Sequence, residues 1–408
     1  MPDKQIVLIV FCVILGNILS MNAQAIEIKD FTRQHTLHLS GTFQGDYRYI
    51  SEDVRADNRF DIRRARLNVH GVFLKDLEYK LSSEFQGNIT RRLVDAFGIY
   101  HISPDLKIQF GQFKVPFSRE WLIDDSVFFF AERSIGFSLQ PWRDIGLAIS
   151  GELLEHLFSY QMGIFNGDGI DGSSRGNQKD DPEMALRFVV YPLARSNISD
   201  VSPFIGISFT ESRIDTTNIQ VQVKSTGMIG TQRNLYELKA NTKFGALLDI
   251  KKRVRTCLEG GFIAGPVMQY FEYQRYQYKG LKPVVGETGT ANFYSWHASL
   301  ILNLNGAPIL QKFSIKKNKP KDVWQLACRK EYFSGDANWM IPAAFNAAKE
   351  ADGSSISLSW IRYPFYRILL DYTYTDFSDP LRVRINPDGS IDYIQSENSV
   401  ILRFQVNF

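Results

Sequence analysis

Basic side chains recur in this sequence at alternate positions of extended segments, a spacing that can line one surface with positive charge. Alternation puts Arg48, Arg64, Arg66, Lys80, Lys107, Arg367 and Arg403 on the polar side of their segments, because successive strand side chains point to opposite faces. Arg63 breaks the rule. Strict alternation turns it to the other face, so Arg63-Arg64 predicts a β-bulge that brings both arginines to the polar one. A guanidinium is planar, permanently charged and less strongly hydrated than an ammonium, so such a ladder suits small oxyanions such as phosphate. The acidic Asp124, Asp125 and Glu132 leave a second reading open, in which the same arginines pair with carboxylates and hold a loop in place without a ligand. Other chemistry has no comparable support. The sequence contains no H-E-x-x-H, P-loop, paired C-x-x-C or G-x-S-x-G pattern. The stretch Asp168-Gly-Ile-Asp171-Gly reads as a polar Gly-rich loop before it reads as a cation site. Neither a metal nor a cofactor is expected.

The elements that must carry the ladder are strands. Leu37, Leu39, Gly41, Phe43, Gly45, Tyr47 and Tyr49 alternate with His38, Ser40, Thr42, Gln44, Asp46 and Arg48. The period returns at Ala65, Leu67, Val69 and Phe73, and again at Leu77, Tyr79, Leu81 and Phe85. These segments reach about ten residues or more, the span of a tilted strand across a bilayer, against about 5–6 in globular sheets. Short and long connections alternate. Lys75-Asp76, Ser103-Pro104-Asp105 and Glu155-His156 are tight, whereas Ser51 to Asn58, Phe113 to Trp142 and Asn166 to Asp181 are long. A barrel with tight periplasmic turns at one end and extracellular loops at the other has this rhythm.

Further strands are expected near 184–192, 203–212, 235–248, 255–273, 292–304, 322–333, 354–362, 366–376 and 399–408. With seven before them, the prediction is an all-β, transmembrane antiparallel barrel of about sixteen strands. The segment Asn305 to Lys321, rich in lysine, reads as a solvated turn. Tyr270, Phe271, Tyr273, Tyr276 and Tyr278, with Trp296, Trp324, Trp339 and Trp360, read as interfacial girdles.

The 408 residues are 44% hydrophobic and 22% charged, which excludes a bundle of membrane helices. The apolar run Ile6 to Leu15 is shorter than the roughly 20 residues of a spanning helix. Ala23-Gln24-Ala25 follows it with small residues where a signal peptidase reads. Residues 1–25 are therefore expected to be a signal peptide cleaved after Ala25, and 26–408 a single barrel domain. Removing it takes Cys12 and leaves Cys257 and Cys328, too few for a disulfide scaffold. A net charge of +3 does not point to nucleic acid. At the other end Val400, Leu402, Phe404, Val406 and Phe408 alternate with polar and apolar partners and finish on an aromatic carboxy-terminus. That strand resembles the terminal strand that outer-membrane barrels present to their assembly machinery.

Several blocks resemble the phosphate-selective porin O and P family: RRARL at 63–67, GQFKVPFSRE at 111–120, ERS at 132–134, RDIG at 143–146 and FNGDG at 165–169. The resemblance implies a sixteen-stranded barrel in the outer membrane of a Gram-negative bacterium. It further implies a homotrimer that passes small anions through a lumen narrowed by an inward-folded third extracellular loop. Phe113 to Trp142 lies where that loop belongs, and Pro116, Trp121 and Val127-Phe128-Phe129-Phe130 suit a buried segment. The family motifs single out Arg63, Arg64, Asp95 and Arg133 for an anion-handling constriction, with Lys114 next; Arg48, Arg66, Lys80 and Lys107 complete the basic ladder. Strongly phosphate-selective members resemble one another in carrying lysines in the constriction loop, and this chain has none between Arg119 and Arg133.

The expectation is a porin for passive diffusion with a preference for anions, not an enzyme. Two other classes stay open. One is an outer-membrane barrel enzyme, although His35, His38, His70, His101, His156 and His297 lie in scattered segments without a nucleophile motif. The other is a structural or adhesive barrel with a plugged lumen.

Overall fold

The computed structural model describes residues 26–29, 35–51, 58–73, 76–87, 93–167, 169, 182–195, 201–213, 221–226, 235–238, 241–242, 245–309, 322–339, 348–362, 366–385 and 387–408. The expected signal peptide lies outside the described residues, as do residues 52–57, Lys75, Asp168 and Asp171, and the lysine run from Lys312 to Lys321.

Sixteen antiparallel strands close into a barrel. In chain order they are β1 Thr36–Ile50, β2 Asn58–Phe73, β3 Leu77–Glu84, β4 Leu93–Ser103 and β5 Leu106–Lys114. They continue as β6 Arg143–Leu153, β7 Phe158–Phe165, β8 Glu183–Val190, β9 Val201–Ser212 and β10 Lys252–Ala264. The last are β11 Val267–Pro283, β12 Gly289–Asn303, β13 Asp322–Gly335, β14 Glu350–Arg362, β15 Tyr366–Ile385 and β16 Ile391–Asn407. Each pairs with the next, and β16 returns to β1 from Thr42 opposite Asn407 to Ile50 opposite Ser399. Closure removes the free edges that an open sheet would leave unpaired in lipid.

Period two sets the two faces. Along β1, Tyr47 and Tyr49 are 39% and 37% exposed on the outer face, while Arg48 between them is 1% exposed on the inner one. The seam is held from inside, where Arg403 of β16 grips Asp46 of β1 through two bonds of 2.7 and 2.9 Å. It is also held at its lower end. Gly41 and Phe408 exchange backbone hydrogen bonds of 2.8 and 3.1 Å. A Cβ on Gly41 would lie 2.4 Å from the Phe408 ring, so glycine is what lets the terminal aromatic lie flat there.

The strand number agrees with the sequence reading, but two expected strands are corrected. Among the described residues, 235–248 give no full-length barrel strand, only a short edge in which Leu247 stands opposite Pro283 of β11. The described parts are short pieces at Tyr236–Leu238, Asn241–Thr242 and Gly245–Asp249, the first paired with Val221–Val223. The expected strand 255–273 is two strands, because Gly265, with φ of +51°, turns the chain between β10 and β11. Apolar residues on both sides of that turn, Phe262 to Ala264 and Val267-Met268, hide it, although Gly265-Pro266 is turn chemistry. The girdle reading is corrected as well. Tyr270, Tyr276, Tyr278 and Trp339 are buried in apolar clusters inside the barrel, whereas Phe271 and Trp324 face outward.

Candidate functional site

Residues 115–142, between β5 and β6, carry only a short helix α1, Arg119–Leu122, capped by Ser118, and a 3₁₀ turn at Ile135–Leu139. The rest of this segment has no ladder to satisfy its backbone, so its carbonyls need other donors. Arginines from the inner faces of the strands supply them. Arg367 of β15 donates to the carbonyls of Phe128 and, at 3.1 Å, Phe129. Arg403 reaches that of Ala131 at 2.6 Å, and Arg329 of β13 that of Glu132 at 3.1 Å. Asp371 of β15 in turn accepts the Ala131 N–H at 3.1 Å.

Two carboxylates of the segment gather the remaining charge. Glu132 takes Arg63 through bonds of 2.7 and 2.9 Å and Arg48 at 2.6 Å, with Arg403 3.5 Å away. Asp125 meets Arg64 at 2.5 Å, Arg66 at 3.0 Å and Arg133 at 2.8 Å. Burial would push both acids up. Instead, Arg63 and Arg48 beside Glu132, and Arg64 and Arg133 beside Asp125, outweigh burial and hold both below the usual carboxylate range. Arg63 reaches Glu132 because it is the bulged residue. Gln44 pairs with Arg64 but Gly45 with Ile62, so Arg63 is the extra residue in β2.

The other sequence candidates divide. Asp95 of β4 binds Arg143 at 2.6 Å and Lys80 at 3.2 Å. Lys114 donates to the carbonyls of Trp121 at 2.7 Å and Ile123 at 3.3 Å, with its ammonium 4.7 Å from the Trp121 ring. Arg133 donates to the carbonyls of Glu120 and, at 2.8 Å, Ile123. Arg133 thus fastens the segment to itself, and Lys114 fastens it to the end of β5. Lys107 lies opposite His101 at the far end of β5 and takes no part in the cluster. Sequence reasoning passed over Arg143 and Arg329; the parity of β13 and the RDIG block were the available signals.

Between the segment and the wall formed by β1–β4, β15 and β16 lies a cavity of about 470 Å³ lined by Arg63, Arg64, Arg66, Arg133, Arg143, Arg367 and Arg403 against Asp61, Glu84, Asp125 and Glu132. Seven guanidiniums therefore face four carboxylates. The opposite side of the segment carries most of its apolar packing. Phe117, Trp121, Ile135 and Leu139 pack with Tyr276, Phe293, Phe333 and Tyr236, and Phe128, Phe129 and Phe130 with Phe204, Met268 and Tyr270.

A closed sixteen-strand barrel with an apolar outer face and a polar, arginine-lined interior defines an outer-membrane barrel of the porin class. The chain belongs to the phosphate-selective porin O and P family, whose model matches residues 37–408. Solved structures agree on the fold. The outer-membrane protein OmpT of Vibrio cholerae, in trimer form, matches with a TM-score of 0.54 at 10% identity, covering 92% of this chain and 99% of that one. An anion-selective porin from Comamonas acidovorans matches at 0.53 and 11%, covering 92% and 100%. The outer-membrane channel DcaP of Acinetobacter baumannii matches at 0.52 and 12%, covering 93% and 99%. No curated protein matches it in sequence.

Proposed function

We propose that the protein is a passive-diffusion channel of the outer membrane that prefers small anions without selecting phosphate, with residues 115–142 as its inward-folded third extracellular loop. The observation that carries this reading is the cavity in which seven arginines face four carboxylates. The excess positive charge draws anions in. Because the guanidiniums already hold carboxylates and carbonyls, an anion meets a field more than a closed set of free donors, which favours transit over capture. Arg63, Arg64 and Arg66 are the residues we assign to anion contact. Asp95, Lys114 and Arg133 are assigned to holding the loop and wall. A homotrimer, and recognition of the β16 strand by the barrel assembly machinery, belong to the same reading, supported by the family and by the strand's aromatic end. So does the absence of an enzymatic role; a serine-directed probe that labelled the folded barrel would contradict it.

Reconstitution in a planar bilayer tests the reading. Stepwise openings whose reversal potential in a potassium chloride gradient shifts toward chloride are expected, with little block by millimolar phosphate. Cation preference would sink the anion assignment. A silent bilayer with folded barrel would favour a plugged lumen, the second reading, which rests on the apolar packing around the loop.

A further inference from the structure

Away from the arginine-lined cavity, three segments distant in sequence bring buried metal-ligand types together. Glu120 comes from α1, Glu272 from β11 and His297 from β12, where His297 stands directly opposite Glu272 in the strand register. A donor atom of each lies within 4.8 Å of the others. Both carboxylates are 0% exposed and the imidazole 1%.

Their partners leave the centre open. Glu120 accepts from the Ser134 N–H at 2.9 Å and the Ser134 hydroxyl at 2.6 Å. Glu272 accepts from the Glu120 N–H at 2.7 Å and from Gln274 at 2.9 Å. The cation nearest Glu120, Arg329 at 3.6 Å, is shared with Glu331 at the same distance. His297 Nε2 is buried and has no hydrogen-bond partner among the described residues. The Tyr270 ring stands edge-on to His297, 5.5 Å away, and shields that side. Two buried carboxylates facing each other repel, and an unpartnered imidazole nitrogen is costly. A divalent cation answers both at once: it cancels two negative charges and takes the free nitrogen lone pair.

We propose that Glu120, Glu272 and His297 bind a divalent first-row transition-metal ion that staples the loop to the β11–β12 wall. The donor set decides the class. One imidazole and two carboxylates suit zinc, manganese or ferrous iron, whereas calcium takes oxygen ligands and copper(I) prefers sulfur. The site is separate from the channel reading, and its test does not use conductance.

The experiment uses the full-length folded barrel in detergent, stripped with a chelator, equilibrated with zinc chloride and passed through gel filtration before elemental analysis. One retained zinc per chain is expected. Glu272→Gln and His297→Gln should lose it, by more than the roughly 10–100-fold that outer-shell changes cost. His156→Ala should keep it, since His156 is an exposed histidine paired only with Glu152 at the surface. Heat-modifiable migration checks that each variant is folded. If both site variants fail to fold, cobalt substitution in the wild-type protein gives the answer, since bound cobalt shows ligand-field absorption that the free ion lacks. Zinc-free wild-type barrel, zinc retention unchanged in the folded site variants, or, where those fail to fold, no cobalt absorption would each overturn the proposal.

Discussion

The loop between β5 and β6 meets the barrel through two walls that hold it by different physics. On the β1–β2 and β15–β16 side, the contacts are guanidiniums on Asp125, Glu132 and backbone carbonyls, around an open cavity. On the β8–β13 side, aromatic and aliphatic packing around Phe117, Trp121 and Phe129 dominates, threaded by buried hydrogen bonds such as the Glu120 N–H to Glu272 and the Ile135 N–H to Glu331. Charge leaves room, because guanidiniums and carboxylates meet at their tips; apolar side chains gain only by closing the gap. The difference teaches that one arc of a porin-type interior can hold a loop by charge around a cavity while another closes on it with apolar packing and buried hydrogen bonds.

Breaking the charged side should have the largest effect. Glu132→Ala leaves Arg48, Arg63 and Arg403 without their shared carboxylate, and losing one partner of a buried pair costs about 3–5 kcal/mol. The unfolding temperature of the barrel, read by heat-modifiable migration, should fall and channel current should become noisier. An unchanged temperature would mean that the charged wall does not hold the loop. Phe129→Ala probes the other wall. The ring is 1% exposed and sits in the cluster of Phe204, Met268 and Tyr270, so about 3 kcal/mol should be lost, with anion preference retained. If selectivity moved as much as stability, the two walls would not be separable.

Arg64→Gln sharpens the comparison at a smaller cost in stability, because Arg66 and Arg133 still neutralise Asp125. It removes one charge from the cavity, and the anion-to-cation permeability ratio should drop by about twofold at nearly constant conductance. The smallest effect concerns pH. The folded Glu132 and Asp125 carboxyls titrate below their unfolded values, so their contribution is fully present above about pH 4.5 and is lost only as pH falls through the depressed range. Conductance recorded from about pH 8 down to about pH 5 should stay flat. A transition within that window would show that some other group gates the loop.

The sequence by itself determined the barrel, its polarity and its closing strand, because period two is a local property that any ten-residue window of β1, β2 or β16 carries. It also determined the bulge, since Arg63-Arg64 cannot both face inward without one. Strand boundaries inside β10 and β11 were less legible, because apolar residues flank the Gly265 turn on both sides and only the Gly-Pro pair marks it. Which of the loop-holding arginines also face the cavity was decided by tertiary structure alone. Arg48 and Arg64 have the same parity, yet Arg48 is closed between Asp46 and Glu132, whereas Arg64 holds Asp125 and still lines the cavity. The meeting of Glu120, Glu272 and His297 was likewise invisible, since their proximity depends on how the loop seats on the opposite wall and not on any spacing along the chain.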